Sequence, residues 1–168
     1  MIGEMFMKKL KIYIDTSVVS HLDQQDAPEK MYDTKMLWEM IKSGEYEVYI
    51  SPVTLAEVME CEEPKKSILL NYLSDINYIE LTETDSVLSL ADKYIEAEIL
   101  RPKSLDDCQH IAYACVYDCD ILVSWNFKHL VNIKTISGVK SVNALVGYRE
   151  MPIYTPTFLI AGGTEDDS

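Results

Sequence analysis

Long hydrophobic runs are absent from this sequence of 168 residues. No stretch reaches the roughly 18 apolar residues that a membrane-crossing helix needs. The first ten residues, MIGEMFMKKL, lack a charged start followed by a long apolar stretch, which is the pattern of a signal peptide. We therefore expect a cytoplasmic protein that does not enter a membrane.

Positive charge is also scarce. The chain has 15 Lys and Arg residues against 28 Asp and Glu residues, a formal net charge of −13. Proteins that bind nucleic acids usually carry a basic surface, and this composition as a whole argues against that class. A nucleic-acid function would therefore require positive charge that is concentrated locally.

Paired cysteines of the C-x-x-C type are missing. The four cysteines are Cys61, Cys108, Cys115 and Cys119. Without a secretory signal we interpret them as reduced thiols, and the last three share a helical stripe with apolar residues. A zinc site would need a fourth ligand at a suitable spacing, so small buried side chains are the favoured interpretation.

Apolar segments of two kinds alternate along the chain. Short β-branched or aromatic runs predict strands at 10–14, 46–51, 77–81 and 120–125. Helical patterns fall at 16–22, 28–45, 52–63, 65–76, 82–100 and 105–119, and 134–150 is predicted to be partly helical. Thr82 is the predicted N-cap of the helix 82–100, with Asp85 at the capping-box position. Arg101 and Pro102 begin a loop.

This alternation predicts the fold class and the domain. Strands that alternate with helices form parallel sheets with right-handed crossovers, so we expect a three-layer α/β/α sandwich with a central parallel sheet of four or five strands. Residues 10–160 should form a single domain, and 1–9 and 161–168 should be flexible. The functional crevice of such a sheet lies beyond the carboxyl ends of its strands.

Three acids lie beside apolar, core-like residues. Asp15 directly follows the first strand, Glu57 lies within TLAEVM, and Asp107 lies in the first turn of an apolar helix. Each has an ordinary structural explanation: Asp15 as a helix N-cap, Glu57 as a solvent-facing residue, Asp107 as a complement to the helix dipole. Alternatively, a hard cation such as Mg²⁺ or Mn²⁺ compensates their mutual repulsion. Spacing alone leaves both interpretations open.

Four stretches in the order of the chain give the sequence a family resemblance. YIDTSVV, SPVTLAEV, DDCQHIAYA and DILVSWNFKHL resemble the motifs of PIN-domain (PilT N-terminal domain) proteins, the nuclease fold of ribonuclease toxins from bacterial toxin–antitoxin pairs. The matches run from residue 10 to about 130, and IYTP at 153–156 resembles the close of one subgroup.

The resemblance implies a function and a set of site residues. It implies a Mg²⁺- or Mn²⁺-dependent endoribonuclease with Asp15, Glu57 and Asp107 as catalytic metal ligands, supported by Thr16 or Ser17. Many members carry a fourth acid where this chain has Asn126. Because Asn keeps an oxygen but loses a charge, this difference weakens a second metal site. The family further implies an RNA substrate, an antitoxin partner and a homodimer.

Local positive charge lies near these motifs. Arg101 and Lys103 precede Asp107, while Lys128 and His129 follow Asn126, so these four are candidate RNA-binding residues or solvated surface groups. His110 lies one turn from Asp107; a structural helix histidine is the favoured interpretation, and a residue that faces the cleft is the alternative. The candidate contacts for a partner protein recur at helical spacing; they are Met31, Met36, Trp38 and Met40, and core packing is the alternative.

Other function classes fit the sequence less well. A haloacid-dehalogenase-type phosphatase needs a second Asp two residues after the first, where this chain has Ser17. A phosphoacceptor receiver domain needs an acidic pair near its first strand, which is also absent. A PIN-like module that binds RNA or protein without cutting remains the alternative function.

Overall fold

The computed structural model describes residues 8–162. Its strands are β1 Leu10–Ile14, β2 Tyr46–Ile50, β3 Ile79–Glu80, β4 Ile121–Val123 and β5 Ile153–Tyr154. Its α-helices are α1 Thr16–Ser20, α2 Pro28–Lys42, α3 Pro52–Met59, α4 Lys65–Ser74, α5 Asp85–Glu96, α6 Leu105–Val116, α7 Ile133–Val146 and α8 Pro156–Ile160. Short 3₁₀ helices span His21–Asp23 and Pro102–Ser104.

The strands form one parallel sheet in the order β3-β2-β1-β4-β5. β1 lies at its centre and pairs with β2 on one side and β4 on the other. The predicted α/β fold with a central parallel sheet of four or five strands is thus confirmed. Parallel strands end at a common edge, so the segments that follow β1, β2 and β4 lie side by side.

Two hydrophobic cores lie on opposite faces of the sheet. Because side chains alternate along a strand, β1 directs Ile12 and Ile14 into one core and Tyr13 into the other. The first core is built with buried residues of α1, α2, α3, α4 and α8, and the second with those of α5, α6 and α7. The result is the three-layer sandwich that the sequence predicts.

The start of α5 differs from the prediction. Its N-cap is Thr84 rather than Thr82: the Thr84 hydroxyl accepts a hydrogen bond from the Val87 N–H at 3.2 Å. Thr84 has an extended backbone, which places its side chain over the first turn. Thr82 instead accepts a hydrogen bond at its carbonyl from the Tyr117 hydroxyl.

The predicted contact surface on α2 is wrong for one residue. Trp38 is 1% exposed and packs in the core, where its indole N–H donates to the Tyr72 carbonyl at 3.0 Å. Met36 is exposed, whereas Met31 and Met40 are half-buried. The helical spacing that grouped these residues puts Trp38 on the core side of the helix.

The remaining predictions about the chain have mixed outcomes. Cys108, Cys115 and Cys119 are buried as predicted, and Cys61 is half-buried. No helix within residues 8–162 is long and apolar enough to span a membrane. The single domain over 10–160 stays a prediction, and the termini expected to be flexible lie largely outside the described residues, at 1–7 and 163–168.

Candidate active site

A cleft of about 260 Å³ opens at the carboxyl edge of the sheet, where β1 ends. Asp15 follows β1 and Asn126 lies three residues after β4, while Glu57 and Asp107 come from α3 and α6. The eight residues that line this cleft, called the acidic cleft below, are Asp15, Thr16, Ser17, Ser20, Glu57, Asp107, His110 and Asn126. All six predicted catalytic and supporting residues are therefore brought together.

Asp15 is the most tightly held of the acids. It is 3% exposed, and its Oδ1 accepts hydrogen bonds from the Ser17 hydroxyl at 2.6 Å and the Val18 N–H at 3.2 Å. Its Oδ2 accepts from the Ser124 hydroxyl at 2.5 Å. Asp15 thus caps α1, as one interpretation of the sequence has it, and also lines the cleft, while its role as a metal ligand stays a prediction.

Glu57 is paired with a buried histidine. Its Oε1 accepts from the Thr16 hydroxyl at 2.9 Å and lies 3.1 Å from His110 Nε2. Burial alone would raise the pKa of Glu57, but the hydrogen bond and charge of His110, with the bond from Thr16, lower it. A lowered pKa keeps this carboxyl group ionised at neutral pH.

His110 connects the acidic cleft to the core beneath it. The residue is 2% exposed, and its Nδ1 lies 2.6 Å from the Tyr13 hydroxyl, which in turn lies 2.7 Å from the Ser51 hydroxyl. Burial lowers the pKa of His110, but the Glu57 hydrogen bond and the charges of Asp15, Glu57 and Asp107 outweigh it and raise the pKa. His110 is thus a satisfied buried histidine, as predicted, and also a residue of the cleft.

Asp107 faces the amide of Asn126. Asn126 Nδ2 donates to Asp107 Oδ1 at 3.3 Å, while Asn126 Oδ1 accepts from the His129 N–H at 3.0 Å. Because only the amide oxygen can accept that N–H, His129 fixes which way the amide faces. The oxygen at the predicted fourth-acid position therefore points away from Asp107. Burial raises the pKa of Asp107 against the opposing charges of His110 and His129.

The donor set of the acidic cleft suits a hard divalent cation. Hard ions prefer carboxylate oxygens. A carboxylate can accept about four hydrogen bonds, and within the described residues Asp15 accepts three. Glu57 and Asp107 each have hydrogen-bond partners at one carboxylate oxygen. Across residues 8–162, however, no three Asp, Glu, His or Cys side chains are already gathered closely enough to hold a metal. Binding would therefore require the carboxylates to move toward the ion.

The predicted RNA-binding residues lie in a second, larger cleft of about 910 Å³. We call it the basic cleft; its lining includes Ile95, Glu98, Ile99, Leu100, Arg101, Pro102, Lys103, Ser104, Phe127, Lys128, His129, Asn132, Lys134 and Thr135. Lining residues of the two clefts are in contact, because His129 of the basic cleft donates its N–H to Asn126 Oδ1 of the acidic cleft at 3.0 Å. All four candidates, Arg101, Lys103, Lys128 and His129, are thus on one surface beside the acidic cleft.

Ser124 and Tyr13 support the acidic cleft but were not singled out from the sequence. Ser124 bonds Asp15, and its Oγ also accepts the Asn126 N–H at 2.9 Å. One signal was present: Ser124 follows β4 just as Asp15 follows β1, and neighbouring parallel strands end together. No signal in the sequence pointed to Tyr13, because a tyrosine inside a strand is ordinarily a packing residue.

Comparison with known proteins gives a likeness of fold. No protein-family model and no curated protein matches the chain. Among solved structures, it resembles a chain in the crystal structure of VapBC2 from Rickettsia felis bound to a DNA fragment from their promoter, with a TM-score of 0.55 and 14% sequence identity. The match covers 87% of this chain and 98% of that one. The chain therefore has a PIN-like α/β/α fold, as the resemblance implied.

Proposed function

We propose that this protein is a divalent-metal-dependent endoribonuclease that hydrolyses RNA phosphodiesters. One observation carries the proposal: three carboxylates from separate segments, Asp15, Glu57 and Asp107, line one cleft at the carboxyl edge of the sheet. In open α/β sheets this edge is where ligands bind. Grouped carboxylates that repel one another and lose solvation favour a cation among them.

Asp15, Glu57 and Asp107 would hold Mg²⁺ or Mn²⁺. When bound, such an ion supplies Lewis-acid stabilisation of the charge that develops on a phosphoryl group under attack by water. The side chains around the acids orient them: Ser17 and Ser124 fix Asp15, and Thr16 and His110 fix Glu57.

We further propose that the enzyme is the toxin of a toxin–antitoxin pair and acts in the cytoplasm. The chain resembles one chain of VapBC2 in fold, and VapBC2 is a PIN-domain toxin–antitoxin complex, which supports an antitoxin partner. The homodimer is proposed on the family resemblance alone. A PIN-like module that binds RNA or protein without cutting is the second candidate, favoured by the absence of a fourth acid at Asn126.

Incubation of the purified chain with end-labelled single-stranded RNA distinguishes the proposed nuclease from a module that binds RNA without cutting it. We expect internal cleavage with Mn²⁺ or Mg²⁺, none with excess EDTA, and recovery when Mn²⁺ is restored. The new ends should carry a 5′-phosphate and a 3′-hydroxyl, because water attacks the phosphorus and the 3′-oxygen leaves, whereas attack by the 2′-hydroxyl would expel the 5′-oxygen and leave a 2′,3′-cyclic phosphate. RNA that is bound but stays intact with every divalent ion would support the binding module instead.

Replacing Asn126 by Asp should strengthen metal binding. The new carboxylate can keep accepting the His129 N–H, and its second oxygen would replace the amide nitrogen that now faces Asp107. The added negative charge should raise Mn²⁺ affinity by about tenfold or add a second ion. Cleavage of single-stranded RNA should be at least preserved.

Calorimetric titration of both forms with Mn²⁺ measures this effect. The wild type should bind one ion per chain, because three carboxylates are nearly neutralised by one divalent cation. If the wild type already binds two ions without RNA, or if the Asn126→Asp form binds more weakly, Asn126 does not belong to the metal site.

A further inference from the structure

The basic cleft has a charge opposite to that of the chain. Four Lys and Arg side chains line it, with one acid, Glu98, although the whole chain carries a net charge of −13. Within residues 8–162, none of these four takes part in an ion pair. Positive charge that the protein leaves uncompensated in a concave surface suits an anionic ligand.

The start of one helix adds to the positive potential of this cleft. Asn132 and Thr135 lie at the start of α7 and line the cleft, and the first turn of α7 contains no acid. The N-terminal end of a helix carries a partial positive charge, which favours phosphate groups. The start of α6 also reaches the cleft at Ser104, but Asp106 and Asp107 in its first turn offset that charge. The start of α7 and the basic side chains therefore attract the same kind of ligand.

Phe127 supplies an aromatic surface where the two clefts meet. Its side chain is 49% exposed, and Lys30 Nζ lies 5.1 Å from the ring centroid. Burying the ring in the core would have been the ordinary outcome for a phenylalanine. A half-exposed aromatic ring beside positive charge is the combination that binds single-stranded nucleic acid, with bases stacked on the ring and phosphates on the cations.

We propose that the basic cleft binds the single-stranded RNA that flanks the bond to be cut, with one base stacked on Phe127. This inference rests on the proposed function and adds two residues to the predicted RNA contacts, Phe127 and Lys134. The continuity of the clefts supports it: the His129 N–H donates to Asn126, whose amide contacts Asp107. A strand held in the basic cleft would thus reach the carboxylates directly. A duplex would not offer an unstacked base to Phe127.

Fluorescence anisotropy of a labelled single-stranded oligoribonucleotide, measured with the full chain in EDTA, isolates binding from cleavage. Each of Lys128→Gln and Lys134→Gln should reduce the slope of log affinity against log salt by about 0.7. Phe127→Leu should weaken binding by about 5- to 150-fold, because leucine keeps the apolar bulk without an aromatic face. Phe127→Trp should restore it.

Lys140→Gln is the matched control, since it removes the same charge from α7 outside the cleft, where Lys140 lies 3.7 Å from Glu150. It should leave the salt slope unchanged. Any of three results would overturn the proposal. The first is an equal change of the salt slope in Lys140→Gln and Lys134→Gln, and the second is an unchanged RNA affinity in Phe127→Leu. The third is that the variants of the basic cleft lose more affinity for duplex DNA than for single-stranded RNA. Cleavage by the wild type is measured separately. If the wild type does not cleave RNA but the variants change RNA binding as expected, the proposed nuclease activity is refuted and the proposed RNA-binding cleft is supported.

Discussion

Replacement of Asp15 by Asn is expected to reduce metal-dependent RNA cleavage by about a hundred-fold or more. The change removes one negative charge from the acidic cleft at nearly constant shape, and metal-ion catalysis is worth several kcal/mol of charge stabilisation. The fold should survive. Asn is as good an N-cap as Asp, and its Oδ1 can still accept from Ser17 and Val18. The Ser124 hydroxyl, which now donates to Oδ2, also lies 3.3 Å from Ser17 and can turn toward it.

Initial cleavage rates and thermal unfolding of the same preparations separate chemistry from stability. Asp106→Asn is the matched control, because Asp106 lies beside Asp107 in the first turn of α6 but is exposed and outside the acidic cleft. It should cleave within about twofold of the wild type. Full activity of Asp15→Asn, or equal losses in the two variants, would contradict the assignment of Asp15.

Trp38→Ala should lower the free energy of unfolding by about 3–5 kcal/mol, the range for large aromatic truncations in a core. Trp38 is 1% exposed and packs with residues of α2, α4 and the sheet. Its loss would leave a cavity and also remove the hydrogen bond that the indole N–H donates to the Tyr72 carbonyl.

Urea unfolding followed by circular dichroism measures this loss. Met36→Ala on the same helix is the comparison, and its exposed side chain should cost less than about 1 kcal/mol. If Trp38→Ala kept full stability but changed self-association, the tryptophan would be a contact residue, as the helical spacing first suggested.

Local sequence was sufficient to predict the architecture. The runs LKIYI and DILVSW are short, β-branched and bounded by helical patterns, so both their type and their parallel direction follow from alternation alone. The ends of the helices were predicted from the sequence less accurately. Thr82 and Thr84 are equally good caps by residue type, and the extended backbone at Thr84 decided between them.

The same contrast holds within the site. Asp15, Glu57 and Asp107 could be singled out because each lies beside apolar, core-like residues, and the family resemblance then favoured them as metal ligands. Neither could say that His110 bridges Glu57 and Tyr13, since these residues are 53 and 97 positions away along the chain. Nor could either predict that the Asn126 amide turns its nitrogen toward Asp107, which a backbone N–H at His129 decides.

The sequence by itself determined approximately where four of the five strands and most of the helices lie, and that the chain is strongly acidic. Those properties depend on neighbours a few positions apart, through side-chain alternation, helical period and capping. Only the tertiary structure decided that Asp15, Glu57 and Asp107 share one cleft. It also decided that a few of the fifteen Lys and Arg side chains of the chain gather in another cleft beside it. Both outcomes require segments far apart in the chain to meet at one edge of the sheet, and strand order sets which segments meet there.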